Sequence, residues 1–468
     1  MTSDYTVLIK NGRVLNPASG FDSVTDILIK GSVIEKIANN ISFPANTVID
    51  ASGLWVFPGF TDIHVHFRDP GFEYKEDIFT GIAAAAAGGF TSVCVMPNTN
   101  PVTDNAKVVR YIVEKAKAAN SVKAASSPAP DSSAALANPP EPDSSATLAN
   151  PPTPENFTSS VNVIPCGSVT KNMDGRELSD IEEMVKAGVK ALSEDGKSVA
   201  DENILKAAFI LCKKYGIPML SHCEDISLAA GGVMNEGARA KELNLKGISA
   251  KSEYSVVARD IALARETGAA LHICHVSVAE SVETIREAKK QGVNVTAEAA
   301  PHHFILTEND VDGTDANYKM NPPLRSESDK AAIIEGLRDG TIDCIATDHA
   351  PHAVFEKNTA FKDAANGIVG LETSFPLSYT YLVKTGILTP LQLAEKMSCN
   401  PAKILKTGRG VIQENYPADI TIVNPNAEYV LNSSEFKSKS KNTPFNGFSV
   451  SGRVEYTISE LPLAFGIF

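Results

Sequence analysis

From residue 58 to about residue 405 short apolar runs alternate with amphipathic segments, and this alternation limits the fold more than any other feature of the chain. Strands are predicted at 91–96, 162–167, 189–192, 218–222, 270–275, 294–297 and 344–347. Helices are predicted at 104–119, 178–187, 202–215, 255–267, 278–291 and 329–338. Repeated βα units of this kind set their strands parallel in one sheet. A (β/α)8 TIM barrel takes about 250 residues, so a region this long carries insertions. A doubly wound sheet is the alternative, but its glycine fingerprint is absent.

The two ends read differently. Runs at 6–10, 26–29 and 33–37 are rich in β-branched residues and punctuated by the turn signals Asn11-Gly12 and Lys30-Gly31. Runs at 420–423, 429–431 and 452–458 share that texture. The expected division is an α/β chain with a barrel at 57–410 and a small β-sandwich built from both termini, 1–56 and 411–468. One stretch, 124–156, is rich in Pro, Ala and Ser. Its segment Pro130-Asp131-Ser132-Ser133-Ala134-Ala135-Leu136-Ala137-Asn138-Pro139-Pro140 returns at 142–152 with Thr147 in place of Ala135. It is read as a low-complexity insert in a helix-to-strand loop, on the barrel face away from the strand C-termini.

Composition excludes several classes. The net charge is −13 and no basic run could follow a phosphate backbone, so nucleic acid is not an expected partner. The start, Met1-Thr2-Ser3-Asp4-Tyr5, lacks the features of a signal peptide, and the alanine run at 83–87 is far too short to cross a bilayer; no membrane partner is expected. Seven irregularly spaced cysteines predict reduced thiols and a cytoplasmic protein.

The candidate chemistry lies in the histidines. In Thr61-Asp62-Ile63-His64-Val65-His66-Phe67-Arg68, read as a strand, residues two apart face the same way. His64 and His66 therefore project together, with Arg68 following on that face. Neutral imidazole suits zinc and its transition-series neighbours. All nine histidines fall in or just beyond apolar runs read as strands, and none in a predicted helix. His222 ends one run, His272 and His275 flank another, and Asp348-His349-Ala350-Pro351-His352 follows a third. Ser193-Glu194-Asp195-Gly196 ends a fourth with carboxylates. Barrel enzymes take their catalytic groups from strand C-terminal ends.

These residues resemble the amidohydrolase superfamily and, within it, the class I dihydroorotases. The likeness rests on Asp62-Ile63-His64-Val65-His66-Phe67-Arg68-Asp69-Pro70-Gly71 and Val95-Met96-Pro97-Asn98-Thr99-Asn100-Pro101. It continues through Met320-Asn321-Pro322-Pro323-Leu324-Arg325, Asp348-His349-Ala350-Pro351-His352 and Gly367-Ile368-Val369-Gly370-Leu371-Glu372-Thr373. The resemblance implies reversible interconversion of dihydroorotate and N-carbamoyl-aspartate in pyrimidine synthesis, with one or two zinc ions per subunit, two favoured. It puts His64, His66 and Asp348 on one ion and His222 and His275 on the other. Asp195 bridges, in preference to a carboxylated Lys190. Asp348 is the expected proton carrier. Arg68, Asn98, Asn321, His352 and the backbone of Asn366 and Gly367 are the expected substrate contacts. His302 and His303 are expected to hydrogen-bond behind the ligands, Cys223 and Cys274 to be core thiols, Glu194 to be solvated, and loop 353–365 to close over the site. Exposed helix faces in this fold leave room for a homodimer. Two other functions fit less well. One is a different cyclic amidase, such as a hydantoinase, dihydropyrimidinase or allantoinase; the other is a non-catalytic homologue.

Overall fold

The computed structural model describes residues 5–121, 161–459 and 465–466. The chain begins with β1 (Thr6–Asn16), β2 (Phe21–Lys30), β3 (Val33–Ala38), β4 (Thr47–Asp50) and β5 (Trp55–Pro58). Lys30-Gly31 is the turn its sequence predicts, but Asn11-Gly12 is not a turn. It lies inside β1, at a bulge where the register with β2 shifts between Ile9 and Gly12. Asn11 adopts φ 60 there. A Cβ on Gly12 would run into Val56 of β5. The bulge bends one long strand so that Val7–Lys10 pairs with β4 while Arg13 and Val14 pair with β5.

The barrel follows: β6 (Phe60–Val65), β7 (Phe90–Val95), β8 (Asn162–Ser168), β9 (Ala191–Ser193) and β10 (Met219–Ser221). A small separate pair, β11 (Met234–Asn235) and β12 (Gly247–Ile248), precedes β13 (Leu271–Ile273), β14 (Val295–Ala299) and β15 (Cys344–Ile345). The eight barrel strands run parallel in the order β6-β7-β8-β9-β10-β13-β14-β15. First and last meet just beyond their ends, where Val65 bridges His349 and the His66 N–H donates to the His349 carbonyl at 2.8 Å. The buried Asp62 carboxylate strengthens that seam by accepting the N–H groups of His64 (3.1 Å) and Thr347 (3.2 Å).

Helices cover the outside for ordinary reasons. In Glu202–Tyr215, Leu205, Ala208, Phe209 and Cys212 are buried at helical spacing. Asp201 caps the start by accepting from the N–H groups of Asn203 and Ile204, and Gly216 ends the helix at φ 68. The helix Ala106–Ser121 precedes β8. The Asn120 side chain clasps the far side of the connection, accepting from Val161 N–H (3.1 Å) and donating to its carbonyl (3.0 Å). The low-complexity stretch itself lies outside the described residues.

The last strands, β16 (Ile420–Val430), β17 (Ser449–Ile458) and β18 (Phe465–Gly466), return to the first ones. β16 pairs antiparallel with β5, giving one sheet of order β18-β17-β16-β5-β1-β2-β3, with β4 beside β1. Val7, Ile9, Ile27, Ile29, Ile420 and Ile422 bury one face in a common cluster. Between β5 and β6 stands only Gly59, packed so closely against Thr91 that a side chain would collide with it. Phe57 and Phe60 on either side meet Phe375, with Phe60 and Phe375 stacked at 5.5 Å. This aromatic joint fixes the sheet against the barrel. Among the described residues no helix is long and apolar enough to cross a membrane.

Candidate metal centre and active-site cavity

Six of the singled-out side chains meet at the C-terminal mouth of the barrel. His64 is the last residue but one of β6 and His66 lies just beyond the strand, their rings 5.4 Å apart. Asp195, His222, His275 and Asp348 follow β9, β10, β13 and β15. Asp195 sits among them: Oδ1 is 3.1 Å from His64 Nε2, 3.7 Å from His222 Nδ1 and 4.0 Å from His275 Nε2, and Oδ2 is 3.4 Å from His66 Nε2. Asp348 Oδ1 lies 3.1 Å from His66 Nε2 and 3.6 Å from His64 Nε2. Two clusters with metal-ligand spacing result, His64-His66-Asp195 and Asp195-His222-His275, with Asp195 common to both. Lys190 is exposed, just before β9 and outside this cluster.

The donor set fits a transition-metal centre. His64 Nε2 is fully buried between two carboxylates and makes no hydrogen bond. Nδ1 of His222 and Nε2 of His275 face each other at 2.9 Å. Imidazole nitrogens and carboxylate oxygens converging in this way suit a divalent first-row ion. The clustered side chains act strongly on one another's charge. Burial pushes the Asp348 carboxyl up, but the His66 hydrogen bond and the His64 and His66 charges hold it well below the usual range. Asp195 is likewise low: His64 and His66 outweigh its burial. His275, buried and facing His222 and His64, falls to about 3.

Two residues hold the clustered side chains from behind. Asn98, after β7, has Oδ1 2.9 Å from His66 Nδ1 and donates through Nδ2 to Asp195 Oδ2 at 3.0 Å. Its amide, expected to meet substrate, is thus engaged by two members of the cluster. Glu298, near the C-terminal end of β14, was not singled out by sequence; its Oε1 is 2.9 Å from His64 Nδ1 and its Oε2 2.9 Å from His272 Nε2. The signal was there. Parallel barrel strands are buried on both faces, so a carboxylate inside Val295–Ala299 needs a partner.

Several expectations are corrected. His302 and His303 sit in a short helix, Pro301–Ile305, and not on a strand end. His303 donates to the Pro322 carbonyl (3.1 Å), and His302 Nε2 has no hydrogen-bond partner, so neither braces a clustered side chain. Glu194 is buried, not solvated: it accepts the N–H groups of Val169 and Thr170 (both 3.0 Å) and the Thr170 hydroxyl. Cys223 and Cys274 are buried thiols. Cys274 also lies within ligand distance of His64 and Glu298.

Around the cluster is a cavity of about 200 Å³, lined by His66, Arg68, Asn98, Asp195, His222, His275, Asn321, Asp348, His352, Asn366 and Gly367, together with Gly196 and Ala350. His64 is wholly buried and does not line the cavity. Arg68 donates from Nε to the Pro351 carbonyl (3.2 Å), and one terminal nitrogen is 3.4 Å from His352 Nε2. His352 Nε2 donates to the Asn366 carbonyl at 2.8 Å. Asn321 donates to Glu224 Oε2 at 3.1 Å. Arg68, His275 and Asp348 have positive φ of 60, 32 and 48, strained backbone of the kind that collects at functional sites. At the rim, Val354 and Phe355 are exposed on the short helix Val354–Lys357, Phe355 stacks on Tyr74 at 6.0 Å, and Glu356 pairs with Lys75 at 2.7 Å.

A strand-end cluster of this composition in an eight-stranded parallel barrel defines a metal-dependent hydrolase, and the chain belongs to the amidohydrolase family, whose sequence pattern matches residues 55–460. Its curated relatives narrow the position further. It is 46% identical over 452 residues to the dihydroorotase of Ruminiclostridium cellulolyticum, covering 97% of this chain and 96% of that one. It is 47% identical over 453 residues to the dihydroorotase of Geobacter sulfurreducens, covering 97% of each. Among solved structures it resembles the L-hydantoinase of Arthrobacter aurescens, with a TM-score of 0.79, 26% identity and coverage of 100% of this chain and 96% of that one. The dihydropyrimidinase of Brevibacillus agri, at 21% identity and TM-score 0.78, shares the fold.

Proposed function

We propose that this protein is a dihydroorotase, hydrolysing the cyclic amide of (S)-dihydroorotate to N-carbamoyl-L-aspartate, and the reverse, in pyrimidine synthesis. The observation that carries the reading is the placement of Arg68 in the same small cavity as the imidazole–carboxylate cluster. A guanidinium there can take a substrate carboxylate by two parallel hydrogen bonds. The dihydroorotases to which the chain is 44–47% identical support the same choice.

The resident metal in this reading is zinc. His64, His66 and Asp348 would hold one ion, His222 and His275 the other, with Asp195 between them; its place in both clusters favours two ions over one. Bound zinc supplies a lowered water pKa, near 7, and a Lewis acid for the carbonyl. The side chains do the rest. Arg68 and His352 orient the substrate carboxylate, with Asn321 and the Asn366–Gly367 backbone lining the ring's side of the cavity. Asp348, held ionised, accepts a proton from the attacking water. As oxygen joins the ring carbonyl carbon and the carbon–nitrogen bond breaks, Asp348 returns that proton to the leaving nitrogen. The products are a ureido group and a new carboxyl group, which ionises and gives the water's second proton to solvent. Loop 353–365, beside the cavity rim, is suited to close over bound substrate.

All seven cysteines are unpaired, which supports a reducing, cytoplasmic setting for the enzyme. A homodimer is the assembly we favour. The test of function is substrate choice by the zinc-loaded protein. Dihydroorotate should turn over far faster than dihydrouracil, hydantoin or allantoin, which lack the ring carboxylate. Preference for any of those three would replace this reading with the other cyclic amidases.

A further inference from the structure

We propose that Glu298 is a positioning residue that aligns both halves of the metal centre through one buried carboxylate. The inference rests on the two-ion reading above and adds that the two ion positions share a support besides Asp195.

Glu298 is 1% exposed and faces three N–H groups. Oε1 lies 2.9 Å from His64 Nδ1 and also accepts from the His275 backbone N–H at 3.2 Å. Oε2 lies 2.9 Å from His272 Nε2. An ionised carboxylate can only accept, so His64 must carry its proton on Nδ1. Nε2 is then left as a lone pair facing Asp195 and Asp348, the form a metal ligand needs.

The grip on His275 is of a different kind. Its φ of 32 lies in a region that costs a non-glycine residue free energy unless its surroundings impose it. Glu298 imposes it from two sides. Its side chain takes the His275 N–H, and its backbone carbonyl takes the Val276 N–H at 2.9 Å. His64 and His275 belong to different ligand clusters, so a single residue of β14 sets the ring tautomer in one and the backbone angle in the other. His272 completes the arrangement from behind. Its Nδ1 is 2.8 Å from Thr296 Oγ1, which directs its Nε2 proton to Glu298 and fixes the carboxylate's rotamer. Neither Glu298 nor His272 lines the cavity.

Zinc affinity, measured by chelator competition on the intact protein, tests this without reference to turnover. Glu298→Gln keeps the shape but offers one acceptor oxygen where the carboxylate had two. It should release both ions about 10–100-fold more readily, the usual cost of losing a ligand's hydrogen-bond partner. With the metal removed, variant and wild type should differ less in melting temperature than they do with zinc bound, whereas a residue needed only for folding would lower both by the same amount. His272→Asn, which leaves the carboxylate in place but frees Oε2, should weaken both ions less than Glu298→Gln and provides the same test if the glutamine variant fails to fold. Wild-type affinity at both positions in either variant would overturn the proposal. Weakening of one ion alone would overturn its claim of a shared support. Wild-type protein that binds no zinc would remove the metal-centre reading and this inference together.

Discussion

Nδ2 of Asn98 donates to Oδ2 of Asp195 across 3.0 Å, while the oxygen of the same amide lies 2.9 Å from Nδ1 of His66. One side chain thus orients a histidine and the carboxylate beside it. Asn98→Ala should therefore lower zinc affinity about 10–100-fold, the usual cost of losing a group that orients a ligand. The KM for dihydroorotate at saturating zinc should change little. Metal titration alongside steady-state kinetics separates the outcomes: an intact metal site with a raised KM would return Asn98 to the substrate.

Arg68 should govern substrate choice. A hydrogen bond to a charged group contributes about 1.5–3 kcal/mol, so Arg68→Met is expected to raise the KM for dihydroorotate about 10–100-fold. Any residual hydrolysis of dihydrouracil, which has no carboxylate to lose, should be unaffected. A parallel loss on both substrates would mean that Arg68 serves the architecture and not recognition.

Asp348→Asn tests the proton transfer at saturating zinc, because the same carboxylate would also hold one ion. The residue has φ 48, a left-handed angle that asparagine tolerates as well as aspartate does, so the variant should fold. Removing a general acid–base group typically costs about 10²–10⁴-fold in rate. The expected result is a fall of that size in kcat with an unchanged circular dichroism spectrum. Activity within threefold of wild type would assign the proton to another group.

Glu372 provides a pH test away from the metal cluster. Burial raises its carboxyl to about 7, against the opposing pull of the Ser438 and Lys437 backbone N–H groups. A carboxyl that holds its proton more tightly in the folded state loses stability as pH rises from its ordinary value of 4.5 through 7. Glu372→Gln removes that loss. Its advantage over wild type should be smallest near pH 4.5, grow to pH 7 and level off above, reaching at most about 3 kcal/mol. Melting curves of the metal-free pair across that range check it; a constant difference would contradict the assignment.

Part of the candidate cluster was legible in the sequence because a parallel barrel concentrates chemistry at one end of its strands, and His64, His66, Asp195, His222, His275 and Asp348 each lie at or just beyond the end of an apolar run. The choice of these six among nine histidines and their neighbouring carboxylates, with Asp195 between the two groups, rests on the family resemblance and not on periodicity. The helix at Glu202–Tyr215 was legible to the residue, since Asp201 and Gly216 mark its limits chemically. Other features depend on contacts between distant segments. Asn11-Gly12 carries the signature of a tight turn, and only the approach of Val56 and Ala51 in the packed sheet accounts for the glycine inside a strand. Glu194 looks like a surface charge until the backbone of Val169 and Thr170 is brought to it. Glu298 and His64 are 234 residues apart, beyond any local pattern.

The return of β16 to β5 and the seam between Val65 and His349 have a consequence for synthesis. At roughly 5–20 residues per second, a ribosome leaves the early strands with open edges for on the order of tens of seconds before their partners emerge. Until then β5 and β6 present unpaired backbone, the template on which neighbouring nascent chains aggregate. A polypeptide released before Ile420 would still contain every side chain of the ligand cluster, yet it would lack the strand that completes the pairing of β5. Messages truncated near their 3′ end should therefore yield insoluble product and not a weakly active enzyme.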